Sequence, residues 1–556
     1  LTGVSLYLLE IIGIGYTLHH SRGDRLRECL AFSVRLSSKH FQIIKSLQNK
    51  NMSRSLDDLL TEYFQPEKLK AAFKAYEQQK TDFLQQGEPK VQMGVDGISY
   101  PTFKKELDLR CQLLSNRLLK GTYQFYTFRE IEISKPSGGK RVLSIATIRD
   151  VIVQKVLYDA IYKEIEKDFQ ATSKLDKVSF AYRKGKSAPY AASLIHYYIK
   201  QGFIFALDAD IVKFFDKLSH EYLFEIIEIK FGQNTLATKL LRRFIKTGGL
   251  PHKNQCGKTY RYRFHHHKPI LNNQRIIRTQ GIPQGGVLSG MLANLYLHEF
   301  DCWVLNDLSK KYSLRYVRYA DDFVILLKEK ELIPLVHQEV AQKLQDIKLE
   351  LHTDESKTKH VDIAKDFLEF VGFQFNLEHI KVKPGNIIRF QERIIEKINK
   401  EPSYKTGENS KRRFNFFIKY VINKKVTGRG EKICDECSGV LGERVKSWMG
   451  FFMGITDIQQ IRELDKWIRK EVSKHFYTKY QLRLKKSDFK NAGLITLEQE
   501  YYRLHKRKKC LCEKPNCSLS QMNDSKAIQD TGASQTISWN FIGNFLEIIF
   551  RKLFAL

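Results

Sequence analysis

The sequence predicts an α+β protein: buried strands in the middle of the chain, helices before them, and a strongly basic helical region after them. Three observations carry that expectation. Short apolar runs bounded by turn residues lie at 202–211 (GFIFALDADI) and 314–327 (LRYVRYADDFVILL), with the length and composition of buried strands. Helical patterning is firm from Ser53 and returns at 389–400 and 440–486. The charge is uneven: of a net +31 over 556 residues, residues 380–509 hold 32 Lys+Arg against 15 Asp+Glu. At 42% hydrophobic and 12% aromatic the chain can bury a large core, which excludes a mainly disordered chain. Gly 32 and Pro 12 exclude a collagen-like or linker-like one. The excess of 93 Lys+Arg over 62 Asp+Glu predicts a polyanionic partner, nucleic acid ahead of an anionic membrane.

In chain order, residues 1–52 read as an N-terminal leader or extension that begins on Leu1 and ends at Met52. Its apolar start is interrupted by Glu10 and has no basic flank, so it makes a poor secretory signal and a short membrane span. The reading is a cytoplasmic protein with no stable membrane association. Residues 53–122 form an N-terminal helical region, with a turn-rich joint at 94–103 (GVDGISYPTF) before a helix at 104–119. Residues 123–133 alternate like a strand, PSGGK at 136–140 is a turn, and 141–146 completes a hairpin. Helices follow at about 148–165 and within 219–247, on either side of the strand at 202–211. The basic segment 258–268, with His265, His266 and His267, reads as a solvated loop rather than a metal site. The tail 510–556 is polar through 518–538 and ends in an amphipathic helix expected to dock on the protein. Nine cysteines are too few for a disulfide scaffold. Cys29, Cys111, Cys256 and Cys302 read as buried thiols, while Cys434, Cys437, Cys510, Cys512 and Cys517 are either a zinc site or free thiols.

The chemistry centres on Asp210, which follows the apolar run FIFAL, and on Asp321 and Asp322, between RYVRY and FVILL. Most Asp-Asp pairs are solvated turns. This one has apolar strands on both sides. Carboxylates gathered at the ends of adjacent buried strands repel, and a cation is what lets them stay charged together. Hard oxygen ligands suit Mg²⁺, which also binds substrate phosphates. Two such ions about 3.5–4 Å apart can activate a 3′-hydroxyl and stabilise leaving pyrophosphate. The residues alone leave divalent-metal phosphoryl transfer and a solvated turn both open.

The surrounding segments narrow the choice. Tyr319-Ala320-Asp321-Asp322 is similar to the YxDD box of reverse transcriptases, and DIVKFFD at 210–216 resembles their first palm motif. QGIPQGGVLSGMLANLYLHEFD at 280–301 resembles the middle palm motif of group II intron-type enzymes. KPSGGKRVLSIATIRDVIVQ at 135–154 resembles their fingers motif, SFAYRKGKSAPYAA at 179–192 the next block, and FLEFVGFQF at 367–375 the closing palm strands. The chain therefore resembles the group II intron-type bacterial reverse transcriptases, intron-encoded maturases and related domesticated or defence-associated enzymes.

That resemblance implies a right-hand polymerase, with fingers and palm over 123–376, a helical thumb over 377–435 and a maturase-like basic region over 436–509. It implies an RNA-directed DNA polymerase using deoxynucleotides and two Mg²⁺ ions, with Mn²⁺ as the alternative. Asp210, Asp321 and Asp322 would be catalytic, and the metal positions Asp210, Ile211, Asp321 and Asp322. Lys135, Arg141, Phe215 and Gln284 would meet the nucleotide, Phe215 as a gate against a 2′-hydroxyl. Arg183, Lys186, Gly285 and Gly286 would meet the template. Structured RNA, intron or noncoding, and a template-primer duplex are the implied partners. Trp448 and Trp467 offer rings for base stacking or for core packing. The sequence departs from the family pattern at Ser289-Gly290, where Ser-Pro is usual, and in a long basic loop at about 250–279. It shows no His-Asn-His nuclease pattern and no acidic cluster suggesting ribonuclease H. The rival reading is a non-catalytic RNA-binding splicing cofactor on a polymerase fold, against which the intact Asp210, Asp321 and Asp322 weigh. Maturase and antiphage-defence settings are both open.

Overall fold

The computed structural model describes residues 56–81, 94–134, 140–251, 276–354, 357–401, 409–428, 432–433, 440–441 and 447–506. They fall into two compact units. One holds the described residues up to Glu401 together with Phe451–Val472; the other holds those of Pro402–Gly450 and from Ser473 onward.

In the first unit, β1 (Phe128–Ser134) and β2 (Lys140–Ile145) pair antiparallel, from Arg129 opposite Ile145 to Ser134 opposite Lys140, and β4 (Gly249–Pro251) joins the other edge of β1 in parallel. The sequence predicts a strand from residue 123, but β1 starts at Phe128. The reason is Asp150. Its buried carboxylate accepts the Tyr123 hydroxyl at 2.5 Å, the Tyr126 backbone N–H at 3.0 Å and the Thr147 hydroxyl at 2.7 Å. Residues 123–127 thus bury Tyr123 and Phe125 while a side chain, not a neighbouring strand, serves the backbone. Thr147 in turn caps the helix Ile148–Phe169 by accepting the Asp150 N–H.

A four-stranded sheet carries the motifs singled out in the sequence. Its order is β5 (Leu314–Tyr319), β6 (Asp322–Leu327), β3 (Phe205–Asp210), β7 (Lys359–Asp362), with every neighbour antiparallel. Behind it lies the helix Ser289–Trp303, apolar nearly all round from Met291 to Leu297 and buried accordingly. Phe300 of this helix meets Tyr316 and Phe323 of the sheet at ring-centroid separations of 6.0 and 5.6 Å. One residue further on, Asp301 is fully buried against Arg318 of β5, accepting its Nε–H at 2.8 Å and the Tyr316 hydroxyl at 2.9 Å.

The closing strands β8 (Leu368–Phe370), β9 (Phe373–Phe375) and β10 (Ile380–Val382) form a separate antiparallel sheet. The edge of β10 is covered, because Thr456 and Gln460 side chains accept the N–H groups of Ile380 and Val382 at 2.8 Å each.

In the second unit the Phe414 ring packs edge-on against Phe476 and Phe489, at 5.4 and 5.1 Å. Helix is predicted from residue 440. Instead Val440–Leu441 pairs as a short strand with Lys432–Ile433, and helix begins at Trp448. Trp448 and Trp467 are both half-buried. Cys111 and Cys302 are free thiols, the first buried and the second half-buried. The other cysteines, the 258–268 segment, Lys135, residues 1–52 and the tail 510–556 lie outside the described residues. Among the described residues no helix is long and apolar enough to cross a membrane.

Candidate active site

Strand alternation builds the acidic face. In β3 the period of two places Asp208 and Asp210 on one side and Leu207 and Ala209 on the other, in the core. Register then sets Asp210 directly opposite Asp322 of β6. Side chains so placed have Cβ atoms about 4.5–5.5 Å apart, and two like charges there destabilise the pair. Asp321 joins them from the two-residue turn between Tyr319 and Asp322, which pair across β5 and β6. That turn holds Ala320 at φ +64°, a conformation that a side chain makes strained. The buried Arg318 guanidinium donates to the Ala320 carbonyl at 3.0 Å and so secures the turn from below.

The electrostatics follow from the crowding. Burial, then the charges of Asp208, Asp321 and Asp210, hold the Asp322 carboxyl well above the usual range. Burial pushes Asp208 up to about 7, with Glu369 and Asp210 adding to the effect and Lys359 and Lys383 opposing it. Cations lean in: Lys357 Nζ stands 3.8 Å and His352 Nε2 3.9 Å from the Asp210 carboxylate. Among the described residues no three His, Cys, Asp or Glu side chains form a ready-made metal cage. The donor set nevertheless fits Mg²⁺ or Mn²⁺. It consists of hard oxygens carrying excess negative charge, and Mg²⁺ typically takes one or two carboxylates and completes its shell with waters and substrate phosphates. Ile211 follows directly and is buried, with Val212 N–H bonded to the Glu350 carbonyl at 2.9 Å.

This crowding predicts a pH dependence for the metal-free protein. The folded-state pKa of Asp208 lies above its unfolded value, so its contribution to stability is fully present below about pH 4 and is lost as pH rises through about 7. Asp208→Asn should remove its share of that loss, making the fall in melting temperature between pH 5 and 8 in chelator shallower while the share of Asp322 persists. An unchanged slope in the mutant would show that Asp208 is not the titrating group.

Beside the acidic face lies a cleft of about 410 Å³, lined among others by Arg141, Tyr182, Phe215, Gln284 and Gly290. Gln284 ties it together. Its carbonyl oxygen accepts Arg141 Nε–H at 3.0 Å, its amide donates to Asp216 at 3.1 Å, and its backbone carbonyl accepts Ser144 N–H at 2.7 Å. Gly285 follows at φ +100°, where a side chain would be strained. Gly286 lines the same cleft. Phe215 is buried, its ring perpendicular to Phe214 at 5.5 Å and to Tyr182 at 6.3 Å.

The structure thus brings Arg141, Phe215, Gln284, Gly285 and Gly286 together in one cleft, whose Tyr182 feels the charge of Asp321. Arg183 and Lys186 are placed differently. The Arg183 side chain is 2% exposed, held by Glu166 at 2.6 Å and Asp176 at 2.8 Å, with Phe169 against its guanidinium. Lys186 Nζ sits on Asp176 at 2.6 Å. In this structure the buried, doubly paired Arg183 guanidinium fixes its own loop, and the template contact expected of it is not among the contacts it makes here. Residue-type reasoning passed over Asp208 and Lys357, and also Tyr182. The alternation of ALDAD carried the signal for Asp208, since it puts that residue on the face of Asp210.

Residues 133–375 match the family described as reverse transcriptase (RNA-dependent DNA polymerase). The chain is 26% identical over 311 residues to protein YkfC of Escherichia coli K12, covering 50% of this chain and 74% of YkfC. It is 29% identical over 214 residues to the group II intron-encoded protein LtrA of Lactococcus lactis subsp. cremoris, covering 38% of this chain and 29% of LtrA. Among solved structures, apo telomerase from Candida tropicalis, truncated from its C-terminal domain, aligns with a TM-score of 0.36 at 14% identity, over 51% of this chain and 61% of that one. Residues 133–375 are therefore a reverse transcriptase domain, an RNA-directed DNA polymerase of the type carried by group II intron-encoded proteins.

Proposed function

We propose that this domain extends a DNA primer on an RNA template by two-metal phosphoryl transfer, with Asp210, Asp321 and Asp322 holding two Mg²⁺ ions that Mn²⁺ can replace. The observation that carries the reading is the pairing of Asp210 with Asp322 at the end of antiparallel strands, beside a cleft that offers a guanidinium. When bound, such ions activate the primer 3′-hydroxyl and neutralise the pyrophosphate as it leaves. The chain's own groups do the rest. Arg141 donates its Nε–H to Gln284, which orients the guanidinium so that its terminal N–H groups can fork onto phosphate oxygens. Phe215, which lines the cleft, would stand against the sugar and exclude a 2′-hydroxyl. Gly285 lets backbone approach the templating pair.

The partner we infer is structured RNA, and the likeness to an intron-encoded protein supports an intron as that RNA. The basic residues of 380–509 would bind it through phosphates. The test is primer extension by the purified full chain on a defined RNA template, with filter binding of the same RNA in parallel. We expect templated deoxynucleotide addition that requires Mg²⁺ or Mn²⁺, and an RNA affinity that falls by at least tenfold between 50 and 200 mM salt. No extension with either metal would overturn the mechanism, and a salt-independent affinity would overturn the phosphate-contact reading.

A further inference from the structure

Gly290 stands in the first turn of the helix Ser289–Trp303, and glycine is a poor helix former. The fold gives a reason for it. A Cβ at this position would lie 2.4 Å from Tyr182 Cγ and 2.5 Å from its Cδ1, so the tyrosine ring rests directly on the helix backbone. The backbone of Tyr182 is itself held at φ +59°, uncommon for a bulky residue, and the next residue is the buried, doubly paired Arg183. Two unfavourable local choices therefore converge on the placement of one ring. That ring is not core: Tyr182 is 49% exposed, lines the cleft, and stands perpendicular to Phe215.

We propose that Tyr182 is a second specificity-determining residue for the incoming nucleotide, forming with Phe215 a two-ring wall against its sugar, and that Gly290 is the seat that lets the ring stand there. This rests on the reading of the cleft as the nucleotide site. An exposed aromatic edge-on to a buried one shapes a pocket from two sides. Phe215 alone would exclude bulk at one point, whereas the pair fixes how the sugar lies as well.

The experiment measures kcat and KM for matched deoxy- and ribonucleotides on one RNA template with a DNA primer. It compares the parent protein with Tyr182→Ala, Tyr182→Phe, Gly290→Ala, the double variant Tyr182→Ala with Gly290→Ala, and Phe215→Val as reference. We expect Tyr182→Ala to lower the preference for deoxynucleotides at least tenfold, chiefly through a raised deoxynucleotide KM. Tyr182→Phe, which keeps the ring, should retain most of that preference. Gly290→Ala should behave like Tyr182→Ala, because its new methyl displaces the ring, and should add nothing in the double variant. If Gly290→Ala does not fold, Tyr182→Ala decides alone, since it only trims an exposed ring. Unchanged sugar preference and KM in Tyr182→Ala, alongside a changed preference in Phe215→Val, would overturn the proposal while leaving the nucleotide site standing. No change in Phe215→Val either would overturn both.

Discussion

Replacing Asp210 or Asp321 with Asn is expected to lower primer extension by at least about a thousandfold while leaving the protein folded. The substitution keeps the size and one oxygen of the side chain but removes the charge that a divalent ion needs. It also relieves repulsion. Asp210 faces Asp322 across β3 and β6, and Asp322 feels Asp208, Asp321 and Asp210 together. The metal-free variants should therefore melt at or above the parent temperature at pH 8, the reverse of what removal of a structural residue does. Extension assays with both Mg²⁺ and Mn²⁺, paired with melts in chelator, separate the two effects. Retained extension would sink the metal assignment. Lost extension with a lowered melting temperature would mean that the carboxylates serve the fold instead.

Asp301→Asn is expected to have the largest effect on stability, about 3–5 kcal/mol, because it leaves the Arg318 guanidinium buried without its counter-charge. Both side chains are fully buried, and Arg318 also donates to Asn294 at 3.0 Å and to the Ala320 carbonyl. Replacing the pair together, Asp301→Leu with Arg318→Met, should be milder, since no orphaned charge remains. Because Arg318 secures the turn that carries Asp321, the double variant should still lose extension even where it folds. Urea unfolding followed by tryptophan fluorescence, together with single-nucleotide addition rates, would check this. Equal destabilisation by the single and double changes would show that packing volume, not charge, is what the pair supplies.

The acidic face was readable in the sequence because its placement depends on local rules. Alternation places Asp210, and a two-residue turn between apolar strands places Asp321 and Asp322. The rest depends on residues far apart in the chain. Nothing in YQFYT says that Asp150 will take up the donors that would otherwise build a strand. Nothing in AYRKGK says that Arg183 turns inward, because charge predicts exposure until Glu166 and Asp176 are brought within reach by the fold. Gly290 reads in sequence as a weak helix start, and only the position of the Tyr182 ring gives it a reason.

The helix Ser289–Trp303 touches both halves of the candidate site: Gly290 at its start packs against Tyr182 of the cleft, and Asp301 near its end holds Arg318 under the turn that carries Asp321. It acts as a ruler. At about 1.5 Å of rise per residue, those two points are held roughly 16 Å apart along one rigid rod. One inserted residue would lengthen the rod and rotate its far end by about 100°, turning Asp301 away from Arg318. Length variation should therefore be barred from this helix, while the loops that flank the sheet remain free to grow and to diversify.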